Sequence, residues 1–231
     1  MDFPVNLVVQ SLHFTHGDNV TMKLRVAVIT LLVMPLLFGQ AHASTDNALE
    51  IVRTTSDKVI ERLTAQKADL DKHPDHLYGL IDELVLPHFD FPIMSRWVLG
   101  KQWNATPVEQ REEFIEQFKT LLVRTYAKAL LEYSGQEIVY LSPESNPNSN
   151  LVIIKTEVAG NGSAHNIPIS YRMHTSGGQW KVIDIAIDGV SLVGTYRGEF
   201  GSEIRKNGVD SLIRKLTERN SNLVSSNSRV Q

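Results

Sequence analysis

Cysteine is absent from the 231-residue chain. That excludes a disulfide framework and any thiolate metal site, so the folded part is held by its core alone. Neither sign of charge dominates: 23 Lys and Arg stand against 26 Asp and Glu, a net charge of −3. A mildly acidic chain has no electrostatic reason to bind nucleic acid. The common catalytic fingerprints are missing as well. The sequence has no Gly-x-Ser-x-Gly elbow, no phosphate loop and no Gly-x-Gly-x-x-Gly turn. Long apolar runs are scarce, and the one present, Val26 to Phe38, is too short to span a bilayer comfortably.

That run sits in an informative order. Met22-Lys23-Leu24-Arg25 is a short basic start, the apolar run follows, and Ala41-His42-Ala43 is an A-x-A cleavage site. This is the pattern of a secretory leader, cleaved after Ala43. Residues 1–21 fit no targeting pattern, which makes Met22 the expected true start. Removing 43 of the 231 residues leaves 188, enough for one large exported domain with its own core.

Within 44–219 the first half reads as helical. Leu49, Val52, Val59, Ile60 and Leu63 line one face between Asp46 and Gln66, and Leu77, Leu80, Ile81, Leu84 and Val85 line another until Pro87 breaks it. A short helix follows from Asp90 to Leu99, closed by Gly100 and pinned by Trp103. The longest run goes from Thr106 to Tyr133 and stops at Gly135, with Phe114, Phe118, Leu121, Leu122, Tyr126, Ala129, Leu130 and Tyr133 at spacings of three and four. Thr106 is the expected cap, with Pro107 at the first helical position and Glu109 closing a capping box.

After Gly135 the period changes to two. Four strands are predicted, at Gln136–Leu141, Leu151–Val158, Ile167–Thr175 and Trp180–Ile187, with a turn over Ser142 to Asn150 and another at Gly177-Gly178. Short connections predict an antiparallel meander. In the last strand, alternation puts Val182, Asp184 and Ala186 on one side and Ile183, Ile185 and Ile187 on the other. A bulge near Gly189 would exchange them. A helical stretch runs from Leu192 to Leu216, interrupted at Gly208, and a Ser/Asn-rich tail over 220–231 reads as disordered. Helices, then a meander, then helices make an α+β domain with the helices on one sheet face.

The candidate chemistry is thin. His73 and His76 flank Pro74 in a polar turn and read as surface histidines, so no metal site is expected. Asp184 and Asp188, four apart, read as solvated or turn-bonded carboxylates rather than an acid–base pair. The apolar residues of the long helix and sheet read first as ordinary core. A curved sheet with a helix across its mouth also leaves room for an apolar cavity, which suits a greasy ligand.

Two long motifs go further. The first is Asp90-x-x-x-Met94-Ser95-x-x-Val98-Leu99-Gly100-x-x-Trp103-x-x-Thr106-Pro107-x-x-Gln110-Arg111-x-x-Phe114-x-x-x-Phe118-x-x-x-Leu122-x-x-x-Tyr126. The second is Gly178-x-Trp180-Lys181-Val182-x-Asp184-x-x-x-x-Gly189-Val190-Ser191-Leu192-Val193-x-x-Tyr196-Arg197-x-x-Phe200, followed by Gly208-x-Asp210-x-Leu212-Ile213. Together they closely resemble the MlaC family, also called toluene-tolerance auxiliary components, over residues 46–219. The resemblance implies a nuclear-transport-factor-like cone: a curved antiparallel sheet of about four strands, with helices enclosing a deep apolar pocket. It implies a monomeric periplasmic carrier, not an enzyme, with phospholipid as cargo and no cofactor.

The implied partners are an outer-membrane lipoprotein–porin complex and an inner-membrane ABC transporter with its substrate-binding hexamer. Carriage between them would maintain outer-membrane lipid asymmetry. By the same resemblance the pocket is expected at Val98, Leu99, Phe118, Leu122, Tyr126 and Leu130 from the helices, and at Ile169, Tyr171 and Val190 from the sheet and its exit. Ile93 is expected at the mouth. Arg111 and Arg197 are expected near the opening, to meet a phosphate or to pair with glutamates; Trp103 and Trp180 are expected to be structural. A periplasmic enzyme of similar fold would be marked by a polar triad in the cavity. A ligand-free adaptor would be marked by a filled core.

Overall fold

The computed structural model describes residues 45–145, 150–160 and 165–227; the leader and start-site expectations for 1–43 lie outside them. The helices among the described residues are α1 (Thr45–Ala65), α2 (Lys67–Leu70), α3 (His76–Leu84), α4 (Phe91–Leu99), α5 (Val108–Leu131) and α6 (Leu192–Asn227). Single 3-10 stretches, Leu86–His88 and Gly100–Ala105, flank α4. The strands are β1 (Ile138–Tyr140), β2 (Glu144–Ser145), β3 (Leu151–Val158), β4 (Ile167–Ser176), β5 (Gln179–Ile187) and β6 (Val190–Ser191). All pair antiparallel in the order β1-β3-β4-β5-β6, with β2 also on β3, in a curved sheet that does not close. The α+β class and the meander therefore stand as expected.

Two additional strands escaped the sequence pattern because each is only two residues long. β2 lies in the stretch read as a turn, and β6 follows a tight reversal in which Asp188 and Gly189 adopt φ 50° and 78°. Gly177 and Gly178, at φ 58° and 79°, make the β4–β5 hairpin; positive φ at both central residues is the turn whose twist matches the strands.

The helix starts are set differently from the sequence reading at one place. Asp90 caps α4 by accepting from the Ile93 amide at 3.1 Å. Thr106 does not cap α5. Its hydroxyl donates to the Gln102 carbonyl at 2.8 Å, closing the preceding 3-10 stretch, and extended Pro107 stands at the helix entry with no side-chain cap. The capping box expected of Glu109 is therefore not formed. The tail also departs from expectation: α6 continues to Asn227, and the side chain of Asn220, where fraying was expected to start, is buried and donates to the Gln117 carbonyl at 3.0 Å. Gly208 (φ 80°, ψ 174°) kinks α6 where the apolar pattern breaks.

Packing divides into three clusters. The first is helical: Val98 and Leu99 of α4, Phe114, Phe118 and Leu122 of α5, and Tyr196, Phe200 and Leu212 of α6. Phe118 meets Tyr196 edge-on at 5.4 Å and Phe200 edge-on at 6.4 Å. Such aromatic pairs add about 0.5–1.5 kcal/mol beyond their buried area. The second cluster sets Ala48 and Val52 of α1 on Val152, Ile154, Met173, Trp180 and Val182 of the sheet. The third joins Val59 and Leu63 of α1 to Leu70, Leu77, Leu80, Ile81 and Ala127. Helix α1 belongs to two clusters, and between them it spans a space the sheet does not fill.

Candidate ligand-binding cavity

Strand register determines what faces that space. Ile138, Val158 and Ile167 lie opposite one another across β1, β3 and β4, and Ile154, Tyr171 and Ile185 do so across β3, β4 and β5. The pleat sends each such row to one face. On β5 the alternation slips once. Arg172 pairs with Asp184 and Met173 with Val182, leaving Ile183 as the extra residue of a bulge. The exchange of faces thus happens at Ile183 and not near Gly189, and Val182, Ile185 and Ile187 all reach the cavity.

The cavity measures about 410 Å³. Its floor is Ile138, Val158, Ile167, Ile169, Tyr171, Val182, Ile185 and Ile187, and α1 roofs it with Ile51, Val52, Thr55, Ser56, Val59, Ile60 and Leu63. Ala129, Leu130 and Tyr133 close one side from the end of α5, and Val85, His88 and Phe89 close another. That last segment is tied to the sheet. Phe89 bridges to Val182, the Asp90 amide donates to the Val182 carbonyl at 2.9 Å, and His174 Nε2 lies 2.9 Å from Asp90 Oδ2.

Among the described residues, no aspartate, glutamate, lysine or arginine lines the cavity. Burial, then Lys181 and Lys58, push the His88 imidazole below its ordinary value. Burial raises the Tyr171 phenol. Ser56 and His88 are the polar groups of the lining beside Thr55 and the two tyrosines. An apolar, uncharged hollow of this size accepts a hydrocarbon ligand. A wider groove of about 670 Å³ over α3, α4 and α5 carries Asp82, Glu116, Lys119 and Arg124. Those charges make it the poorer seat for an alkyl chain.

Of the residues expected at the pocket, Leu130, Ile169 and Tyr171 line this cavity. Val98, Leu99, Phe118 and Leu122 lie in the helical cluster, with Tyr126 packed against it. Ile93 is half-buried, and Val190 is 58% exposed on β6. Arg111 donates to the Thr106 carbonyl at 2.8 Å and lies over the Trp103 ring, and the Arg197 guanidinium rests against Gly100. The lining from α1, Phe89 and the β1 and β5 rows was not singled out. Its signal was the period-two pattern of the strands together with the face of α1 that carries Val52, Val59 and Leu63.

The other weighed groups have structural partners. Asp184 is buried, accepts from the Ser191 hydroxyl at 2.6 Å and the Val193 amide at 3.1 Å, and so anchors the start of α6. His76 lies 2.7 Å from Asp69 and stacks on His73. Among the described residues no group of three or more His, Cys, Asp or Glu side chains gathers as a metal site, and no helix is long and apolar enough to cross a membrane.

Comparison with known proteins agrees with this architecture. The chain is 26% identical to the intermembrane phospholipid transport system binding protein MlaC of Haemophilus influenzae, over 86% of this chain and 94% of that protein. It is 28% identical to the toluene tolerance protein ttg2D of Pseudomonas putida, over 80% of this chain and 84% of that protein. Among solved structures, a phospholipid-binding protein from Ralstonia solanacearum, in complex with a phospholipid, superposes with a TM-score of 0.71 at 30% identity. That match covers 77% of this chain and 99% of the other. The model of the MlaC protein family matches residues 53–218, and the chain belongs to that family.

Proposed function

We propose that this protein is a periplasmic phospholipid carrier whose cargo sits with its acyl chain in the cavity between α1 and the sheet. The observation that carries the reading is the uncharged apolar lining of that hollow, in a fold shared with a protein solved in complex with a phospholipid. Burying about 15 methylenes at ~0.8 kcal/mol each supplies roughly 12 kcal/mol, without any headgroup contact. The contact set proposed here is the cavity lining, with Leu130, Ile169 and Tyr171 common to it and to the residues first expected. The leader read over 22–43 supports export. The name of one relative supports a role in intermembrane phospholipid transport. The exchange partners in this proposal are an outer-membrane lipoprotein–porin complex and an inner-membrane ABC transporter with its substrate-binding hexamer. Binding of that strength makes spontaneous release slow, so the carrier needs partners that open the cavity or offer a comparable site.

Native mass spectrometry of protein purified without detergent, with lipid analysis of its extract, tests the proposal. The expected result is stoichiometric phospholipid, lost in a folded Ile169→Glu variant. A folded wild-type protein free of lipid, and unable to take it from vesicles, returns the chain to the adaptor or enzyme class.

A further inference from the structure

We infer that Phe89 sets the longest acyl chain this carrier accepts, an inference that rests on the phospholipid reading above. Among the described residues, Phe89 alone lines both the cavity and the wider groove over α3, α4 and α5. It is therefore a septum of one side chain between two hollows. Its place along the cavity follows from strand register. The open end lies at Ile167, 41% exposed on β4, and at exposed Ala129 of α5. From Ile167 to Met173 strand β4 advances about 20 Å at roughly 3.3 Å per residue. Met173 pairs with Val182, which is buried and bridges to Phe89. A chain that enters at Ile167 and follows the strand ends against Phe89.

The septum is held from outside the cavity. The Asp90 amide donates to the Val182 carbonyl at 2.9 Å, His174 Nε2 lies 2.9 Å from Asp90 Oδ2, and Lys181 Nζ donates to the Pro87 carbonyl. His174 and Lys181 pair across β4 and β5, one position on from Met173 and Val182, so the pleat turns them to the opposite face. The Phe89 ring stacks on that of Phe91 at 5.7 Å. These ties and the ring contact hold Phe89 where it stands. Behind it the groove offers further apolar wall at Leu86, Phe91, Ile115 and Val123, with Asp82 and Glu116 exposed at its rim. Truncating Phe89 joins this wall to the cavity, and methylenes beyond the present stop gain an apolar seat.

The test uses the full chain, stripped of lipid and offered vesicles with equal amounts of dipalmitoleoyl and dierucoyl phosphatidylcholine. The two lipids share a headgroup and a fluid state and differ in chain length. Native mass spectrometry counts the uptake of each, and wild type is expected to favour the shorter. Folded Phe89→Ala and Phe89→Val are expected to move the ratio toward the longer lipid by at least about tenfold, which about two newly seated methylenes suffice to give. Lys181→Met cuts one tie without touching either hollow, and its ratio is expected to move the same way by a smaller factor. Ile115→Ala widens the groove and leaves the septum standing, so its ratio is expected to match wild type. Equal wild-type uptake of the two lipids, an unchanged ratio in the folded Phe89 variants, or the same shift in Ile115→Ala overturns the septum assignment and leaves the carrier reading intact. If neither Phe89 variant folds, an unchanged ratio in Lys181→Met does so. A wild-type protein that takes up neither lipid overturns the carrier reading itself.

Discussion

Two apolar regions of this molecule differ in side-chain bulk and in packing. The helical cluster of α4, α5 and α6 closes on itself, with Phe114 and Phe118 at 0% exposure and rings of α5 and α6 interlocked. The space between α1 and the sheet is lined mainly by Ile and Val and stays open. The difference lies in side-chain bulk and backbone shape. Phenylalanines at i and i+4 on α5 meet Tyr196 and Phe200 at i and i+4 on α6, so large rings fill the gap between two straight segments. The sheet curves away from α1 and offers mostly aliphatic residues, too short to reach across. A closed core and an open chamber are thus both apolar, and ring bulk together with backbone shape decides which forms.

Breaking each region in turn sharpens that contrast. Phe118→Ala is expected to cost about 3–5 kcal/mol of stability in denaturant titration, because it opens a void among rings that cannot collapse. Ile169→Ala, in a hollow that already exists, is expected to cost only about 1 kcal/mol while weakening lipid retention. Equal losses at the two positions would erase the distinction between core and chamber.

The next largest effect is expected at Gly100. It adopts φ 56°, and a Cβ there would sit 3.3 Å from Arg197 Nη2. Gly100→Ala therefore meets both backbone strain and the guanidinium, for a loss of about 1–3 kcal/mol, with thermal unfolding as the readout. Arg197→Ala in the same background is expected to relieve part of that loss.

The smallest effect is a pH dependence within α6. Glu203 accepts from Asn207 at 2.8 Å, Ser211 at 2.7 Å and Lys215 at 2.6 Å, partners that lie on both sides of the Gly208 kink. These bonds, Lys215 foremost, lower its carboxyl from 4.5 to about 2. A folded value below the ordinary one means that the contribution is complete above pH 4.5 and is lost as pH falls through 2. The stability gap between wild type and Glu203→Gln is expected to be widest at pH 7 and to narrow across that window. A constant gap would detach the kink from this carboxylate.

The sequence disclosed the elements and their class well, because long periodic runs such as Val108–Leu131 and the clean alternation over Ile167–Ser176 leave little choice. What it hid was which apolar face stays unfilled. Phe118 and Leu122 sit on a long periodic helix, and their apolar spacing reflects burial in a closed core. The chamber instead takes residues from several strands and from α1, so no single run of sequence marks it. β2 and β6 were illegible because two residues carry no period. Thr106 looked like a helix cap because its sequence neighbours are those of a cap, but the 3-10 turn before it offered a nearer partner.

The bulge on β5 bears on how this strand can change length. Ile183 is a supernumerary residue: both it and Asp184 face away from the chamber, and Val182 and Ile185 on either side face into it. Removing Ile183 leaves a regular strand in which Val182, Ile185 and Ile187 keep their inward places. Deletion of this one residue therefore removes a buried side chain and leaves the chamber-facing row in place. At this position the chain tolerates a shift in numbering without a shift in meaning.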